Sequence, residues 1–331
     1  MKSINFKHLC FAAVLASLAP ISFAQAQTAS IISQPPGNGW YTYGTTFARV
    51  IPEKTDHKVD VKLIPRGGGM ANPVVVNNGK ADFGFTTSNA AVWAKEGLTD
   101  IYKGHKNPHL RMVLAGMQQA YTLIIARKAW VDSTGNNTLD KIIHAKKVVI
   151  ATKPTGSQVP ILADFIFKSM GTSFALLKSE GKIIQIGSGQ ASQMMRDNAI
   201  DVYIDNVPAM HPNVTQMAMT NHIVFIPYPD KVLKAMAEVG LPTGVMPNGT
   251  YKGQTTDYRN PVSATVFVTN DSVPEQKVYE VTKALTESEA DIKQTHAPLK
   301  FWQPSAIDQY SHILPLADGA AKYDRQQGWL K

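Results

Sequence analysis

The chain is expected to be an α/β protein with largely parallel sheets, divided into two lobes. Three observations carry that expectation. Strand-like and helix-like patterns alternate through most of the 331 residues, the order produced by a parallel sheet with helical crossovers. Three short turns of small residues, Arg66–Gly69, Thr86–Asn89 and Thr155–Ser157, each separate a strand pattern from a helix pattern. The roughly 300 residues that follow an N-terminal leader can bury a large core and fill more than one lobe.

The leader is read from its composition. Lys2 and Lys7 form a charged segment, Leu9 to Leu18 an apolar one, and Ala24-Gln25-Ala26 fits a small-x-small cleavage site, with Ser22-Phe23-Ala24 as a second. The apolar stretch is too short to remain across a bilayer, and no second long one follows. Residues 1–26 are therefore expected to be removed near Ala24 or Ala26, leaving an exported, periplasmic protein. Cys10, the only cysteine, lies inside the leader, so the expected mature chain has no disulfide, thiol nucleophile or thiolate metal ligand. The net charge of +8 falls to +6 without Lys2 and Lys7, since residues 1–26 contain no acid. The cations are scattered and no aromatic–basic motif accompanies them, so nucleic acid is not an expected partner.

The elements follow in order. Ser30 to Ser33 is a first short strand, Gln34-Pro35-Pro36-Gly37-Asn38-Gly39 a turn cluster, and Tyr43 to Ile51 a helix stopped by Pro52. Val59 to Ile64 alternates and is rich in β-branched residues, hence a strand. Arg66–Gly69 breaks it and Met70 to Asn77 is a short helix. Asp82 to Phe85 is a strand, Thr86–Asn89 a polar turn, and Ala90 to Lys95 opens a helix. Leu110 to Leu114 and Thr122 to Ala126 are strands flanking a connection from Gly116 to Tyr121. Thr138 to Ile143 is a helix, Lys147 to Ala151 a strand, and Val159 to Met170 a helix with Pro160 in its tolerant first turn. Ile183 to Ile186, Val202 to Ile204 and Val224 to Ile226 are strands, interspersed with helices at Gln190 to Asn198 and Asp230 to Val239. Leu241 to Asn260 reads as an ordered loop, Thr265 to Thr269 as the last strand, and Glu275 to Ile292 with the tail as helices. The polypeptide is expected to pass between lobes near Tyr121 to Ala126 and to return near Val262 to Thr269, giving one lobe from 27–122 and 268–331 and another from 123–267.

The three turns are the candidate site, because each places free backbone N–H groups and the positive end of a helix at a strand tip, where an anion binds. Arg66 either grips a carboxylate in two-pronged fashion or is solvated at a strand end. Gly68 and Gly69 let a ligand approach the backbone, and Asn72 either orients that ligand or caps the turn. Ser88 and Asn89 contact a ligand or cap a helix, and Thr155, Gly156 and Ser157 repeat the theme. Asn38, Trp40, Tyr41 and Tyr43 line a cleft or fill a core. Asn206, beside Asp205, reaches the same cleft or forms a turn before Pro208.

Other chemistries lack support. Gly187-Ser188-Gly189-Gln190-Ala191-Ser192 lacks the third glycine and the ribose-binding acid of a dinucleotide site. The histidines are dispersed, and there is no His-Glu-x-x-His, nucleophile elbow or P-loop. No catalytic residue, metal or cofactor is expected.

The motif order resembles the solute-binding receptors of tripartite ATP-independent periplasmic (TRAP) transporters, in their TAXI branch. The resemblance is carried by Gly37-Asn38-Gly39-Trp40-Tyr41, Arg66-Gly67-Gly68-Gly69-x-x-Asn72, Gly79-Lys80-Ala81-Asp82-Phe83-Gly84-Phe85, Thr155-Gly156-Ser157, Asn248-Gly249-Thr250-Tyr251-Lys252-Gly253, and the tail Pro315 to Trp329. It implies a type II-like periplasmic binding protein with a strand hinge and an interlobe cleft. It further implies a monomer that closes on a small carboxylate such as glutamate, glutamine or 2-oxoglutarate, and a permease driven by an ion gradient. Contacts carried over by position fall in Asn38–Tyr43, Arg66–Asn72, the Ser88 region and Thr155–Ser157. The chain departs from the family at Pro35-Pro36 and Trp40, at Arg66 before three glycines, and at Ala317-Asp318 in the tail. An ABC-type receptor for another organic anion, a ligand sensor for a membrane receptor kinase and an exported enzyme remain alternative readings.

Overall fold

A computed structural model describes residues 27–220 and 222–330, so the expected leader lies outside the described residues. The strands are β1 (Gln27–Ile32), β2 (Val59–Ile64), β3 (Phe83–Thr87), β4 (Leu110–Leu114), β5 (Gln119–Arg127), β6 (Ile150–Thr152), β7 (Ile183–Gln185), β8 (Val202–Pro208), β9 (Ile223–Phe225), β10 (Thr243–Met246) and β11 (Tyr258–Asn270). They pair in the order β2-β1-β3-β11-β5-β8-β6-β7, with β4 and β10 also on β11 and β9 on β5.

The two ends of this curled sheet repeat one plan. At one end β2, β1 and β3 run parallel and β11 lies antiparallel to β3, Thr265 opposite Thr87. At the other, β7, β6 and β8 run parallel and β5 lies antiparallel to β8, Tyr121 opposite Val207. The two plans meet where β11 pairs β5, Val262 opposite Tyr121 and Ala264 opposite Gln119. β11 thus belongs to both halves. The carboxyl ends of β1, β2 and β3 face those of β6 and β8 across the joint, the position where open α/β sheets bind ligands.

Packing fixes each half. Phe47, Phe83, Phe85 and Phe267 are fully buried and pack with ring centroids 5.0–5.4 Å apart, Phe83 stacked on Phe267 and the other pairs tilted or edge-on. A second buried cluster runs from Met70 and Trp93 into Ile150, Phe167 and Met195. Trp302, also fully buried, donates its indole N–H to the Ala115 carbonyl at 3.1 Å. The helices Glu275–Glu287 and Asp318–Gln326 touch at Gly319, where a Cβ would stand 2.2 Å from the Glu275 carbonyl oxygen.

Several sequence expectations are corrected. Thr86–Asn89 is not a turn: Thr86 and Thr87 stay in β3, and the helix Ser88–Glu96 begins at the next residue, because antiparallel pairing with β11 holds both threonines extended. The first helix, Gly39–Lys54, runs past Pro52 and closes at Thr55, whose hydroxyl and N–H both donate to the Ile51 carbonyl. Leu241 to Asn260 contains an edge strand, β10, paired to the start of β11. Pro261 and Asn260 disguise that start in sequence. Val202 to Ile204 is only part of β8, which pairing with β5 extends to Pro208. Glu275 to Ile292 is two helices, Glu275–Glu287 and Glu289–Thr295, broken at Ser288. The helices Lys128–Thr134, Phe174–Ser179 and Pro212–Thr220 have no counterpart in the sequence reading.

Asp324, on the helix Asp318–Gln326, is buried and its Oδ2 has no hydrogen-bond partner among the described residues. Burial lifts its carboxyl to about 7. The folded value lies above the unfolded one, so Asp324 costs nothing at pH below about 4 and penalises the fold increasingly as pH rises through the folded value. Asp324→Asn should therefore raise Tm at pH 8, with the gain shrinking by pH 4.5. Thermal denaturation at both pH values checks this, and an equal gain at both would exclude a charge effect.

Candidate functional site

A small cavity of about 80 Å³ lies where the strand ends converge. That is several times the roughly 10–15 Å³ that one water needs. Its wall is built from both halves. Gln34, Asn38, Gly39, Trp40, Gly69 and Thr87 come from one, and Lys153, Ser157, Gln158, Asn206 and His211 from the other. Gln118, Thr265 and His296 complete it.

The first wall is set by the β1 turn. Gly37 takes a left-handed φ of 87°, and the Asn38 side-chain amide donates to the Pro35 carbonyl at 3.0 Å. Asn38 precedes the helix Gly39–Lys54 without a side-chain capping bond, its carbonyl takes the Tyr41 N–H at 3.1 Å, and the helix starts on the wall at Gly39 and Trp40. Trp40 stacks on Phe85 and donates its indole N–H to the Thr265 hydroxyl at 3.1 Å. Its ring lies 3.5 Å from the position a Cβ on Gly69 would take. Tyr43 is fully buried and away from the wall, with its phenol donating to Gln118 Oε1 and its ring packed edge-on against His296. Tyr41 is half-buried and off the wall.

Asn72 is also absent from the wall. It is fully buried and holds the glycine turn: its Oδ1 accepts from the Gly68 N–H at 3.0 Å, and its Nδ2 donates to the Ser33 and Phe85 carbonyls, both at 2.8 Å. Gly67, at φ 97°, carries the chain through that turn. Arg66 is exposed on the outside, off the cavity, with its N–H turned back to the Ile64 carbonyl at 2.9 Å.

The glycine turn meets the opposite wall directly. A Cβ on Gly68 would stand 3.1 Å from the Gly156 carbonyl oxygen. Gly68→Val should hold the walls apart and weaken a ligand buried between them by about tenfold or more, about 1.4 kcal/mol, with Tm of the unliganded protein little changed. Calorimetry and melting curves read the two effects, and undiminished affinity would exclude close approach at this point during binding.

Gln158 ties the halves together. Its Oε1 accepts from the Thr87 hydroxyl at 2.8 Å and the Asn89 amide at 3.1 Å, and its Nε2 donates to Asn206 Oδ1 at 2.8 Å. Asn206 donates onward to the Thr122 hydroxyl at 3.0 Å. The expected turn before Pro208 is absent because these residues continue β8. Ser157 accepts from the Val159 N–H at 3.2 Å and faces the cavity, whereas Thr155 is exposed and accepts from the Gln185 amide at 3.4 Å. Ser88 accepts from the Ala264 N–H at 3.1 Å, which fastens a helix start to β11.

Lys153 is the one formally charged side chain on the cavity wall among the described residues. It stands just past β6, and its Nζ lies 3.2 Å from Asp205. Asp205 is 1% exposed, receives the Tyr203 hydroxyl at 2.6 Å and the Asn206 N–H at 2.8 Å, and stands behind the wall. His211 and His296 each have a buried Nδ1 with no hydrogen-bond partner among the described residues. Burial, with Lys153 and His296 nearby, lowers His211 to about 4, and burial lowers His296 as well. The His211 imidazole is therefore neutral at pH 7, and burial disfavours the charged form of His296.

A wider hollow of about 850 Å³ adjoins the β5–β11 joint and includes Ser88 and Asn89, together with Met117, Tyr121, Met210 and Phe301. Its wall is mostly apolar. The smaller cavity is the one where cation, amides, imidazoles and helix starts converge. Sequence reasoning missed Gln34, Gln118, Lys153, Gln158, His211 and His296. A signal existed for Lys153 and Gln158, which flank Thr155–Ser157 after a strand. Nothing local marks His211 or His296.

Among the described residues, no group of three or more His, Cys, Asp or Glu could hold a metal ion, and no helix is long and apolar enough to cross a membrane.

A cleft between two α/β halves that share their long strands is the plan of a two-lobed periplasmic binding protein. The chain belongs to the NMT1-like family, whose model matches residues 31–328. Proteins of this family are substrate-binding receptors and not enzymes, and receptors of this kind deliver small organic ligands to membrane transporters. Among solved structures, the chain resembles MatC from Rhodopseudomonas palustris with bound malate (TM-score 0.54, 12% identity, 91% of this chain and 99% of that one). It also resembles an R. palustris protein with adipate (TM-score 0.52, 13% identity, 92% and 96%). A third likeness is to the periplasmic binding protein BugD (TM-score 0.51, 15% identity, 91% and 98%). At these identities the likeness establishes the fold.

Proposed function

We propose that this protein is an exported solute receptor that captures a small organic anion, a carboxylate, between its lobes and hands it to a membrane permease. The observation that carries this reading is the cavity itself: Lys153 and the starts of two helices, Gly39–Lys54 and Val159–Ser169, meet there from opposite walls. The lobes are residues 27–122 with 268–331, and 123–267, and they move about the β5–β11 joint. Ligand contacts come from Asn38, Trp40, Gly69, Ser157 and Asn206 of the sequence reading, joined by Lys153, Gln158 and His211. Closure buries the ligand and forms the surface the permease recognises.

The motif resemblance supports a permease of the TRAP type, driven by an ion gradient, and the leader pattern supports the periplasm as its place of work. The acids bound to MatC and to the adipate-binding protein suit the same ligand class. Calorimetry against a panel of mono- and dicarboxylates tests the reading, with saturable one-to-one binding expected. No heat with any carboxylate would overturn it.

A further inference from the structure

We propose that the cavity selects a monoanion, a carboxylate whose far end is a neutral hydrogen-bonding group such as an amide, over the dicarboxylate of the same length. This deepens the reading of the site as a carboxylate receptor and rests on it.

The argument is a count of charge. Lys153 is the cavity's one formally charged side chain among the described residues, and its Nζ is 3.2 Å from Asp205, so the pair contributes no net charge. Burial disfavours the charged forms of His211 and His296. What remains is the helix Gly39–Lys54, which has no side-chain cap, and the helix Val159–Ser169, both starting on the cavity wall, the second with its Val159 N–H already given to the Ser157 hydroxyl and Pro160 next to it. Each helix start acts as about half a positive charge. The sum is at most about one positive charge, enough for one carboxylate and not for two. Arg66, the cation that sequence reasoning offered for a second, is outside.

The remaining polar groups suit a neutral end. Gln34, Gln118, Gln158 and Asn206 carry carboxamides, and the buried Nδ1 atoms of His211 and His296 lack partners among the described residues. Amides and neutral imidazoles can both donate and accept, as an amide ligand requires. A second carboxylate can only accept, and burying it without a cation is costly.

The test compares succinamate with succinate, and glutaramate with glutarate, by calorimetry at pH 7.5. The monoamide is expected to bind about tenfold or more tightly than the diacid in at least one pair. A diacid that binds as tightly as its monoamide overturns the inference while leaving the receptor reading intact. Failure of all four, with no other carboxylate binding either, overturns the receptor reading and the inference with it. Asp205→Asn supplies a second measurement. It leaves Lys153 uncompensated and keeps a side chain able to accept from Tyr203, so it should shift the preference towards the diacid by about tenfold. An unchanged ratio in a folded variant would show that Asp205 does not set the charge of the cavity.

Discussion

Replacing Asn72 with alanine is expected to cost about 3–5 kcal/mol of stability. One carboxamide, fully buried, serves three backbone groups: the Gly68 N–H and the carbonyls of Ser33 and Phe85. Those groups lie just past β1, in the middle of β3 and in the turn after β2, so a single side chain holds three neighbouring strands in register. Alanine leaves all three groups buried and unpaired, at about 1–3 kcal/mol each, with the sum reduced by whatever water enters. Denaturant unfolding gives the number. A loss below about 1 kcal/mol would mean that the turn finds other partners. Asn72→Asp sharpens the test, because it keeps an acceptor for Gly68 but sets a carboxylate against two carbonyls. It should be no more stable than the alanine variant. Ligand affinity should fall in both, through loss of the turn's shape, since Asn72 does not reach the cavity.

Replacing Lys153 with methionine is expected to do two things at once. It removes the cavity's ammonium, which should weaken a carboxylate ligand by about 10- to 100-fold, the equivalent of a charged hydrogen bond of about 1.5–3 kcal/mol. It also leaves Asp205, 1% exposed, with only the Tyr203 hydroxyl and the Asn206 N–H. Breaking one side of a buried ion pair typically costs about 3–5 kcal/mol, and the two retained hydrogen bonds place the expected loss at the lower end. The double variant Lys153→Met with Asp205→Asn separates the effects. It should recover most of the stability but leave affinity about tenfold or more below that of the parent, because the pair's removal keeps the cavity's net charge while the ammonium's own hydrogen bond to the ligand stays lost. Recovery of affinity together with stability would mean that Lys153 serves the fold alone.

Much of the architecture is legible in the chain because it rests on local chemistry. Alternating β-branched runs such as Val59–Ile64, glycines at turns, and Pro160 in a first helical turn act within a few residues, and they fix the α/β order. The same locality misled the reading at Thr86–Asn89 and Leu241–Asn260. Polar, turn-forming residues there are held extended by β11, a partner distant in sequence. The site was legible in the same partial way. The turns at Asn38, Gly69 and Ser157 are on the cavity wall, as their small residues after strands suggested. The roles of Arg66 and Asn72 were not legible, because a turn's sequence does not say which way its side chains face.

The sequence by itself determined the fold class, the glycine-rich strand ends and the absence of any recognised catalytic motif. These follow from hydrophobic period and backbone chemistry, which every segment carries within itself. Only the tertiary structure decided which polar groups share a cavity. It brought Lys153 onto Asp205, Gln158 onto Thr87, Asn89 and Asn206, and His211 and His296 to one cavity. It also turned Arg66 outward. Charge and burial at a site are sums over residues far apart in the chain, so the cavity's balance of about one positive charge exists only once the two halves have closed on each other.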